Sequence, residues 1–456
     1  MKTNNKAYFN CRLFDGIGGT LQHGKIVLTK EDRIHAVEDI SQLDYFKEFE
    51  RVDLMGMTLL PGFIDMHVHI SSPTMTPVNP FEDMDTINRQ RDRHFQSAIK
   101  YGLTTVRDMG GFDQYLQSTK KKIENGEMIG PRIYTPNVFI TSMDGPPERV
   151  PDFPQEIADI MGGHFVARIK TAEEARNAAI RNLENGADFL KTQYAEASCF
   201  CNSGKPLDVL ADECYQAIRQ VAVENSVKVA LHATENNGFK KGIKYNVNCI
   251  EHSSLEDMED SDIEMLVNKG IANIPTLRVV HNVYEIDDML NWVHSDGKED
   301  YMPLVLQQII TALEAHKKTP YPPADNPTDR QLYVDVDLCK RSYEATVRNV
   351  QRIKKAGGKI GVGSDGFSSY INMGGFFWKE LELLTQAGFS NAEVLKAATL
   401  TNAEILGADD VLGSIRPGKY ADLVVIDGNP LEDITVTRNI QRVVKGGVEY
   451  VNGKRV

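Results

Sequence analysis

The 456-residue sequence predicts an α/β protein, a (β/α)8 barrel accompanied by a small β domain built from both chain ends. Two observations predict this fold. Between residues 59 and 414, short apolar strands alternate with amphipathic helices, and several helices end at a glycine that leads into the next strand. Before residue 58 and after residue 415 there are only short strands, too few at either end to form a stable sheet. We therefore expect 1–58 and 415–456 to pair into one composite domain beside a barrel domain, 59–414.

Eight apolar segments are the candidate barrel strands, and most are separated by amphipathic helical segments. The candidate strands are 60–70, 104–109, 132–140, 188–193, 228–234, 248–253, 271–277 and 359–363. The main helical segments are 95–101, 172–185, 208–224, 262–269 and 340–356. Long connections follow strand three (140–167) and strand seven (278–337). Such connections lie at the active-site face of a barrel, where we expect lids or specificity walls; a disordered surface insert is the alternative.

The composition excludes several classes of protein. The net charge of −13, from 51 basic and 64 acidic residues, argues against nucleic acid or an anionic membrane as a partner. The chain has no run of 18 apolar residues, and its N-terminus lacks the apolar core of a signal peptide. The six cysteines are scattered without a disulfide framework. We expect a cytoplasmic, soluble enzyme with a small-molecule substrate.

Potential metal ligands occur at the carboxyl ends of five candidate strands. They are His67 and His69 on strand one, Lys191 on strand four, His232 on strand five, His252 on strand six and Asp365 on strand eight. A lone buried histidine is more often a packed core residue, but a barrel brings all strand ends to one mouth. Two residues apart on a strand, His67 and His69 face the same side. Such a buried polar cluster would be costly unless it binds metal, so we predict a metal centre.

The strand-end residues belong to a set of ordered motifs that covers nearly the whole chain. The motifs are L-P-G-F-I-D-M-H-V-H at 60–69, Y-G-L-T-T-V-R-D-M-G-G at 101–111, G-P-R-I-Y at 130–134, G-A-D-F-L-K at 186–191, H-A-T at 232–234, E-H-S at 251–253, G-S-D at 363–365, and the tail segments 397–407 and 412–427. This set resembles the amidohydrolase superfamily, in the branch with imidazolonepropionase-like proteins and metal-dependent prolidases. The resemblance implies a distorted TIM barrel plus a small β-sandwich built from both termini.

The same resemblance implies a binuclear metal centre. It places His67, His69 and Asp365 on one divalent ion and His232 and His252 on the other. Lys191 would be carboxylated by CO2 and would bridge the two ions, because a carbamate is a bidentate anion whereas an ammonium group repels metal. Zinc is the expected metal, although histidine and carboxylate ligands also accept manganese or iron. Relatives commonly self-associate, so a homo-oligomer is an open alternative to a monomer.

The function that the resemblance implies is hydrolysis of an amide-type C–N bond by metal-activated hydroxide. The metals lower the pKa of a water, and Asp365 takes its proton and passes it to the leaving nitrogen. N-acyl amino acids or dipeptides, as for a prolidase or carboxypeptidase, are the expected substrates. The alternatives are a mononuclear, imidazolonepropionase-type hydrolase of cyclic amides and a promiscuous toxin, ester or organophosphate hydrolase. An inactive scaffold would require gaps among the ligands.

Three further residues are candidates for substrate binding. Arg278 follows strand seven and is a candidate clamp for a substrate carboxylate, with an ordinary solvated arginine as the alternative. Tyr194, three residues after Lys191, is a candidate donor to an oxyanion, with core packing as the alternative. His164 lies in a Gly-Gly-His similar to one found after strand three in relatives, but here 141–160 intervenes.

Overall fold

The computed structural model describes residues 5–71, 84–146, 155–197, 207–282, 285–318, 336–366 and 373–456. The strands are β1 (Asn5–Phe9), β2 (Arg12–Leu13), β3 (Lys25–Lys30), β4 (Arg33–Asp39), β5 (Glu50–Asp53), β6 (Thr58–Pro61), β7 (Phe63–Val68), β8 (Leu103–Asp108), β9 (Arg132–Tyr134), β10 (Phe139–Ser142), β11 (Val166–Ile169), β12 (Leu190–Tyr194), β13 (Val229–Ala233), β14 (Cys249–Glu251), β15 (Ala272–Ile274), β16 (Leu423–Ile426), β17 (Ile440–Lys445), β18 (Val448–Val451) and β19 (Lys454–Arg455).

The α-helices are α1 (Met84–Lys100), α2 (Asp113–Glu124), α3 (Gln155–Met161), α4 (Ala172–Glu184), α5 (Asp212–Glu224), α6 (Asn236–Tyr245), α7 (Asp260–Asn268), α8 (Leu277–Asn282), α9 (Ile286–His294), α10 (Pro303–Lys318), α11 (Val336–Lys355), α12 (Met373–Gln386), α13 (Asn391–Lys396) and α14 (Asn402–Leu406). A π-helical turn, Ala397–Thr401, joins α13 to α14. Within the ranges that the structure describes, no helix has the length and apolarity needed to cross a membrane.

Both chain ends contribute to one β-sandwich, as the sequence predicts. A four-stranded sheet has the order β4-β3-β1-β5, and a six-stranded sheet has the order β19-β18-β17-β16-β6-β2. The second sheet joins the ends because β6 pairs antiparallel with β16, with Leu59 opposite Val425. Tyr8 and Val27 from the first sheet share a buried apolar cluster with Leu59 and Val425 from the second. The domain limits at 59 and 414 remain a prediction.

The barrel consists of parallel strands in two runs that an eighth strand joins, and the predicted fold class is confirmed. β7, β8 and β9 form one run, and β10, β12, β13, β14 and β15 form the other. The eighth strand is the segment 359–366, which hydrogen-bonds on both sides. On one side, Gly361 N donates to Asn273 O at 2.9 Å. On the other, Met66 N donates to Val362 O at 3.0 Å and Asp365 N to His67 O at 2.7 Å.

Two predicted strands are divided in the structure, and each division has a local cause. The predicted strand 60–70 is split at Gly62 into β6, in the sandwich, and β7, in the barrel. A Cβ at Gly62 would lie 2.1 Å from Thr104 Oγ1, so only glycine permits this close approach. The predicted strand 132–140 becomes β9 and β10, separated by a bend in which Asn137 has a φ of 63°.

The long connections contain more regular structure than the sequence predicts, which is one amphipathic segment after strand seven. The connection after strand three includes α3 and β11, and β11 adds a parallel strand to β10. The connection after strand seven includes α8, α9 and α10, while its proline-rich part at 319–335 lies outside the described residues. Their role as lids or specificity walls stays a prediction.

Asn402, at the start of α14, ties the first and eighth barrel strands together. Its Nδ2 donates to Ile64 O at 2.7 Å and to Val362 O at 2.8 Å. Its Oδ1 accepts a hydrogen bond of 2.9 Å from Val362 N. All three bonds are buried, so the amide satisfies backbone groups that water cannot reach.

Replacing Asn402 with alanine should therefore lower the free energy of unfolding by about 2–4 kcal/mol, because buried backbone groups lose their partner. Urea unfolding followed by circular dichroism measures the change. Asn268→Ala, at an exposed position of α7, is the matched control and should change stability by less than about 0.5 kcal/mol. Equal stability of the two variants would contradict the role of Asn402 in joining the first and eighth strands.

Candidate active site

His67, His69 and Asp365 form a compact group of potential ligands where the first and eighth strands meet. Asp365 Oδ1 lies 3.6 Å from His67 Nε2 and 3.7 Å from His69 Nε2. Each of the three residues offers a ligand atom within 4.8 Å of the others. Asp365 Oδ1 is buried and has no hydrogen-bond partner among the described residues. Two imidazole nitrogens and a carboxylate oxygen are a donor set that suits a divalent ion such as zinc.

The orientation of the two histidines is fixed on the side away from Asp365. His67 Nδ1 lies 2.9 Å from Glu251 Oε2, and His69 Nδ1 lies 3.0 Å from Gly110 O. Both partners are acceptors, so each Nδ1 carries the proton. Each Nε2 therefore keeps its lone pair, which lies on the side of Asp365. A neutral histidine with its proton on Nδ1 is the tautomer that binds a metal through Nε2.

His232 and His252 continue the group across the mouth of the barrel. Their ring centroids are 4.5 Å apart, and the His252 ring is 4.8 Å from the His67 ring. His252 Nδ1 is 3.9 Å from Asp365 Oδ2 and 2.7 Å from the hydroxyl of Thr276. The structure thus brings His67, His69 and His252 within 4 Å of the Asp365 carboxylate, and His232 lies beside His252.

The electrostatics of the site keep the histidines neutral. Burial lowers the pKa of His69 to about 4 and that of His232 to about 3. Burial likewise holds the pKa of His67 and His252 well below the usual value, and the Lys191 charge adds to the effect. Neutral imidazoles are the metal-binding form. Burial also raises the pKa of Asp365 to about 7, against the opposing effect of Lys191.

Lys191 lies in β12 with 1% of its surface exposed. Its Nζ has no hydrogen-bond partner among the described residues. Burial lowers the pKa of its amine to about 8. An unpaired, buried ammonium is costly, and the neutral amine is the form that reacts with CO2. This environment therefore fits the carboxylated lysine that the resemblance implies.

Three residues at this mouth have a left-handed backbone, which is strained for residues with a side chain. The φ angles are 68° at His252, 45° at Thr276 and 51° at Asp365. Each residue follows the end of a barrel strand or lies in the eighth one. Such conformations cluster at functional sites, where the surrounding structure imposes them.

A buried ion pair that sequence reasoning missed lies beneath His67. Glu251 is fully buried, and its Oε1 accepts a hydrogen bond of 2.6 Å from Arg107 Nη2 while Oε2 faces His67. Arg107 Nε also donates to Met66 O at 2.8 Å. Strand alternation would turn Glu251 away from His252. The left-handed backbone at His252 breaks that alternation. The only sign of this contact in the sequence was therefore that Glu251 directly precedes a predicted ligand, His252.

The structure places Tyr194 away from the histidines. Tyr194 and Lys191 are three positions apart on β12, so their side chains leave opposite faces of the strand. The Tyr194 ring packs where a Cβ on Gly238 of α6 would lie, 2.9 Å from Cδ1. Its hydroxyl donates to Glu196 Oε1 at 2.5 Å. The core-packing alternative describes this residue better than the oxyanion donor.

His164 also lies apart from the metal-ligand group. It is exposed and precedes β11, whereas the ligands follow the carboxyl ends of their strands. Its backbone N donates to Asp113 Oδ1 at 2.9 Å. The α3 helix separates this Gly-Gly-His from the third barrel strand. A role of His164 in substrate binding stays a prediction.

Arg278 is buried at the start of α8, so the solvated alternative is wrong. Its Nη1 lies 3.3 Å from Asp288 Oδ2 and 3.2 Å from His281 Nδ1. Burial lowers the pKa of the guanidinium to about 10. Its Nε has no hydrogen-bond partner among the described residues. Binding of a substrate carboxylate by Arg278 stays a prediction.

A barrel with four histidines, a buried lysine and an aspartate gathered at the carboxyl ends of its strands defines a candidate metal-dependent hydrolase. Residues 58–454 match the model of the Amidohydrolase family, and the chain belongs to that family. Membership implies a hydrolase that acts on C–N bonds, in a family that generally uses divalent metals.

Known relatives share the whole fold at low identity. Ochratoxinase from Aspergillus niger is 23% identical over 95% of this chain and 84% of its own length. A crystal structure of a Xaa-Pro dipeptidase with methionine bound in its active site has a TM-score of 0.73 and 24% identity, and the match covers 98% of this chain and 100% of that chain. A prolidase complexed with N-methylphosphonate-L-proline has a TM-score of 0.73 and 22% identity, covering 98% and 99%.

Replacing Glu251 with glutamine should weaken metal binding about 10- to 100-fold, because one amide oxygen cannot accept hydrogen bonds from both Arg107 and His67 as the carboxylate does. Competition with a chromogenic chelator measures the dissociation constant, and circular dichroism reports the fold. Glu256→Gln, at an exposed position beyond the same strand, is the control and should bind metal as the wild type does. An unchanged affinity in Glu251→Gln would refute the orienting role.

Proposed function

We propose that this protein hydrolyses the amide bond of an N-acyl amino acid or a dipeptide, as a prolidase or carboxypeptidase does, with two divalent ions. The observation that carries the proposal is the convergence of neutral imidazoles, an unpartnered carboxylate oxygen and an unpartnered buried amine at one barrel mouth. Burying these groups together costs free energy of desolvation, and bound divalent ions would offset that cost.

The residues divide into two ligand sets around one bridge. His67, His69 and Asp365 would hold one ion, with zinc as the expected metal, and His232 and His252 would hold the other. Addition of CO2 to the neutral Lys191 amine would form an N–C bond and release one proton, so that the uncharged amine becomes a carbamate anion. Bound divalent ions supply a water of lowered pKa and polarise a substrate carbonyl.

Asp365 is the residue that we assign to proton transfer. Its carboxylate lies among the ligand histidines and has one buried oxygen without a hydrogen-bond partner among the described residues. It accepts the proton of the attacking water and delivers it to the leaving nitrogen, so that the C–N bond breaks to a carboxylate and a neutral amine. The Glu251–Arg107 pair holds His67 in place during this transfer.

The proposed substrate class is supported by the similar structures and by Arg278. Two of the similar structures are named for dipeptide or proline substrates, and Arg278 supplies a buried cation with an unpartnered Nε beside the mouth. Lys191 favours two ions over the mononuclear site of a ring-opening hydrolase. Similarity to ochratoxinase along nearly the whole chain supports toxin hydrolysis as the second candidate. A small-molecule substrate, a cytoplasmic location and self-association remain predictions.

Asp365→Asn should reduce turnover by about 10²- to 10⁴-fold, because the amide cannot accept the proton. The assay follows amine release from N-acetyl amino acids, Xaa-Pro dipeptides and ochratoxin, with a cyclic imidazolone amide in parallel. Asp410→Asn, an exposed substitution, should keep full activity.

Retained activity in Asp365→Asn would overturn the role of this residue. Opening of the cyclic amide without cleavage of any linear amide would replace the proposed function by the ring-opening alternative.

A further inference from the structure

A small cavity opens beside the half of the metal-ligand group formed by the fifth, sixth and eighth strands. It has a volume of about 80 Å³, and His232, His252 and Asp365 line one side of it. In liquid water this is the space of about two to three molecules. A group bound there would lie directly against the residues that we assign to the reaction.

The opposite wall of the cavity is aliphatic. Leu255 follows the sixth strand, Pro275 follows the seventh, and Val279 and Val280 belong to α8. Among the described residues that line the cavity, none is a lysine, an arginine or a glutamate. The nearby guanidinium of Arg278 is held by Asp288. Asp365 is the one carboxylate among the described lining residues, and we assign it to a metal ion. A charged substrate side chain would thus be desolvated beside no free partner, whereas an apolar one would gain from burial.

Ser253 contributes a polar group to the same lining. Its side chain is 1% exposed, and its hydroxyl oxygen has no hydrogen-bond partner among the described residues. A buried hydroxyl without a partner costs free energy, so the site is more stable once a ligand supplies the missing hydrogen bond. This observation is independent of the aliphatic wall and also points to an occupant.

We propose that this cavity is a substrate subsite that receives a short, uncharged aliphatic side chain, such as that of leucine, valine or methionine. Val279, Val280, Leu255 and Pro275 set this preference, and the Ser253 hydroxyl hydrogen-bonds a polar atom of the same substrate. The inference rests on the proposed function, because it places the subsite next to the scissile amide. It narrows the substrate class to amides with an aliphatic residue beside the cleaved bond.

The test compares free L-leucine with glycine and L-glutamate, since the three share amino and carboxylate groups and differ in the side chain. In the metal-loaded wild type, leucine should bind about tenfold or more tightly than glycine, and glutamate should gain nothing over glycine. The shift in melting temperature as a function of ligand concentration gives the affinities. This readout needs no turnover.

Val279→Phe fills the cavity and should reduce leucine binding to the level of glycine, while glycine binding stays within about twofold. Val223→Phe, at an exposed position of α5, is the control and should keep the preference. Leu255 is half-buried, and Leu255→Ala enlarges the cavity, so the binding preference should shift from leucine toward phenylalanine. This variant tests the aliphatic wall without adding a larger side chain. Ser253→Ala should weaken leucine and glycine equally, by about two- to tenfold.

Parallel assays on leucine- and glycine-containing amides separate the proposed function, amide hydrolysis, from the proposed aliphatic subsite. If the wild type prefers leucine in binding but cleaves no amide, the proposed function fails and the subsite stands. If it cleaves amides but binds and cleaves the leucine and glycine forms equally, the subsite is overturned and the function stands. An unchanged preference in both Val279→Phe and Leu255→Ala would also overturn the subsite.

Discussion

One hydrogen bond, from the Asp365 amide to the His67 carbonyl, is the interaction on which the site depends. At 2.7 Å it joins the eighth barrel strand to the first, so that ligands from distant parts of the sequence lie side by side. The carboxylate of Asp365 then comes within 4 Å of both histidines of the H-x-H motif. Asn402 supports this seam by bonding to backbone groups of both strands.

The barrel supplies the folding free energy that holds the site residues in place, whereas the site itself lowers the stability of the fold. Burying a carboxylate oxygen and an amine that have no hydrogen-bond partner among the described residues, next to four imidazoles, is unfavourable. Left-handed backbone at His252, Thr276 and Asp365 adds about 1–3 kcal/mol of strain each. The sheet ladders and the apolar layer between barrel and helices offset these terms. Metal binding and a carbamate on Lys191 would relieve the electrostatic part, since anion and cations would then face each other.

The convergence of the candidate ligands was predictable from the sequence where a ligand follows a strand end. His67 and His69 face the same side because they are two residues apart on a strand. A barrel brings the carboxyl ends of all its strands together, so the other candidate ligands could be chosen from their positions in the sequence alone. The same alternation rule argues against Tyr194, because an odd spacing from Lys191 sends the two side chains to opposite faces. The prediction for Tyr194 rested on its hydroxyl as a hydrogen-bond donor and did not apply this alternation rule.

Other features depend on contacts between segments far apart in the chain and were not predictable. Asp288, the partner of Arg278, lies on α9 of the strand-seven connection, and no local pattern links the two. Glu251 becomes a partner of His67 only because β14 and β7 face each other across the barrel interior. The division of the first strand at Gly62 depends on the approach of Thr104 from β8.

The central claim is that Lys191 bridges two metal ions as a carbamate. Elemental analysis of metal per chain, on protein grown with bicarbonate and zinc, tests it most directly, with Lys191→Ala and the exposed Lys396→Ala compared in parallel. The account predicts two ions per chain in the wild type and in Lys396→Ala, and fewer in Lys191→Ala. One ion per chain that is unaffected by Lys191→Ala would contradict the bridge.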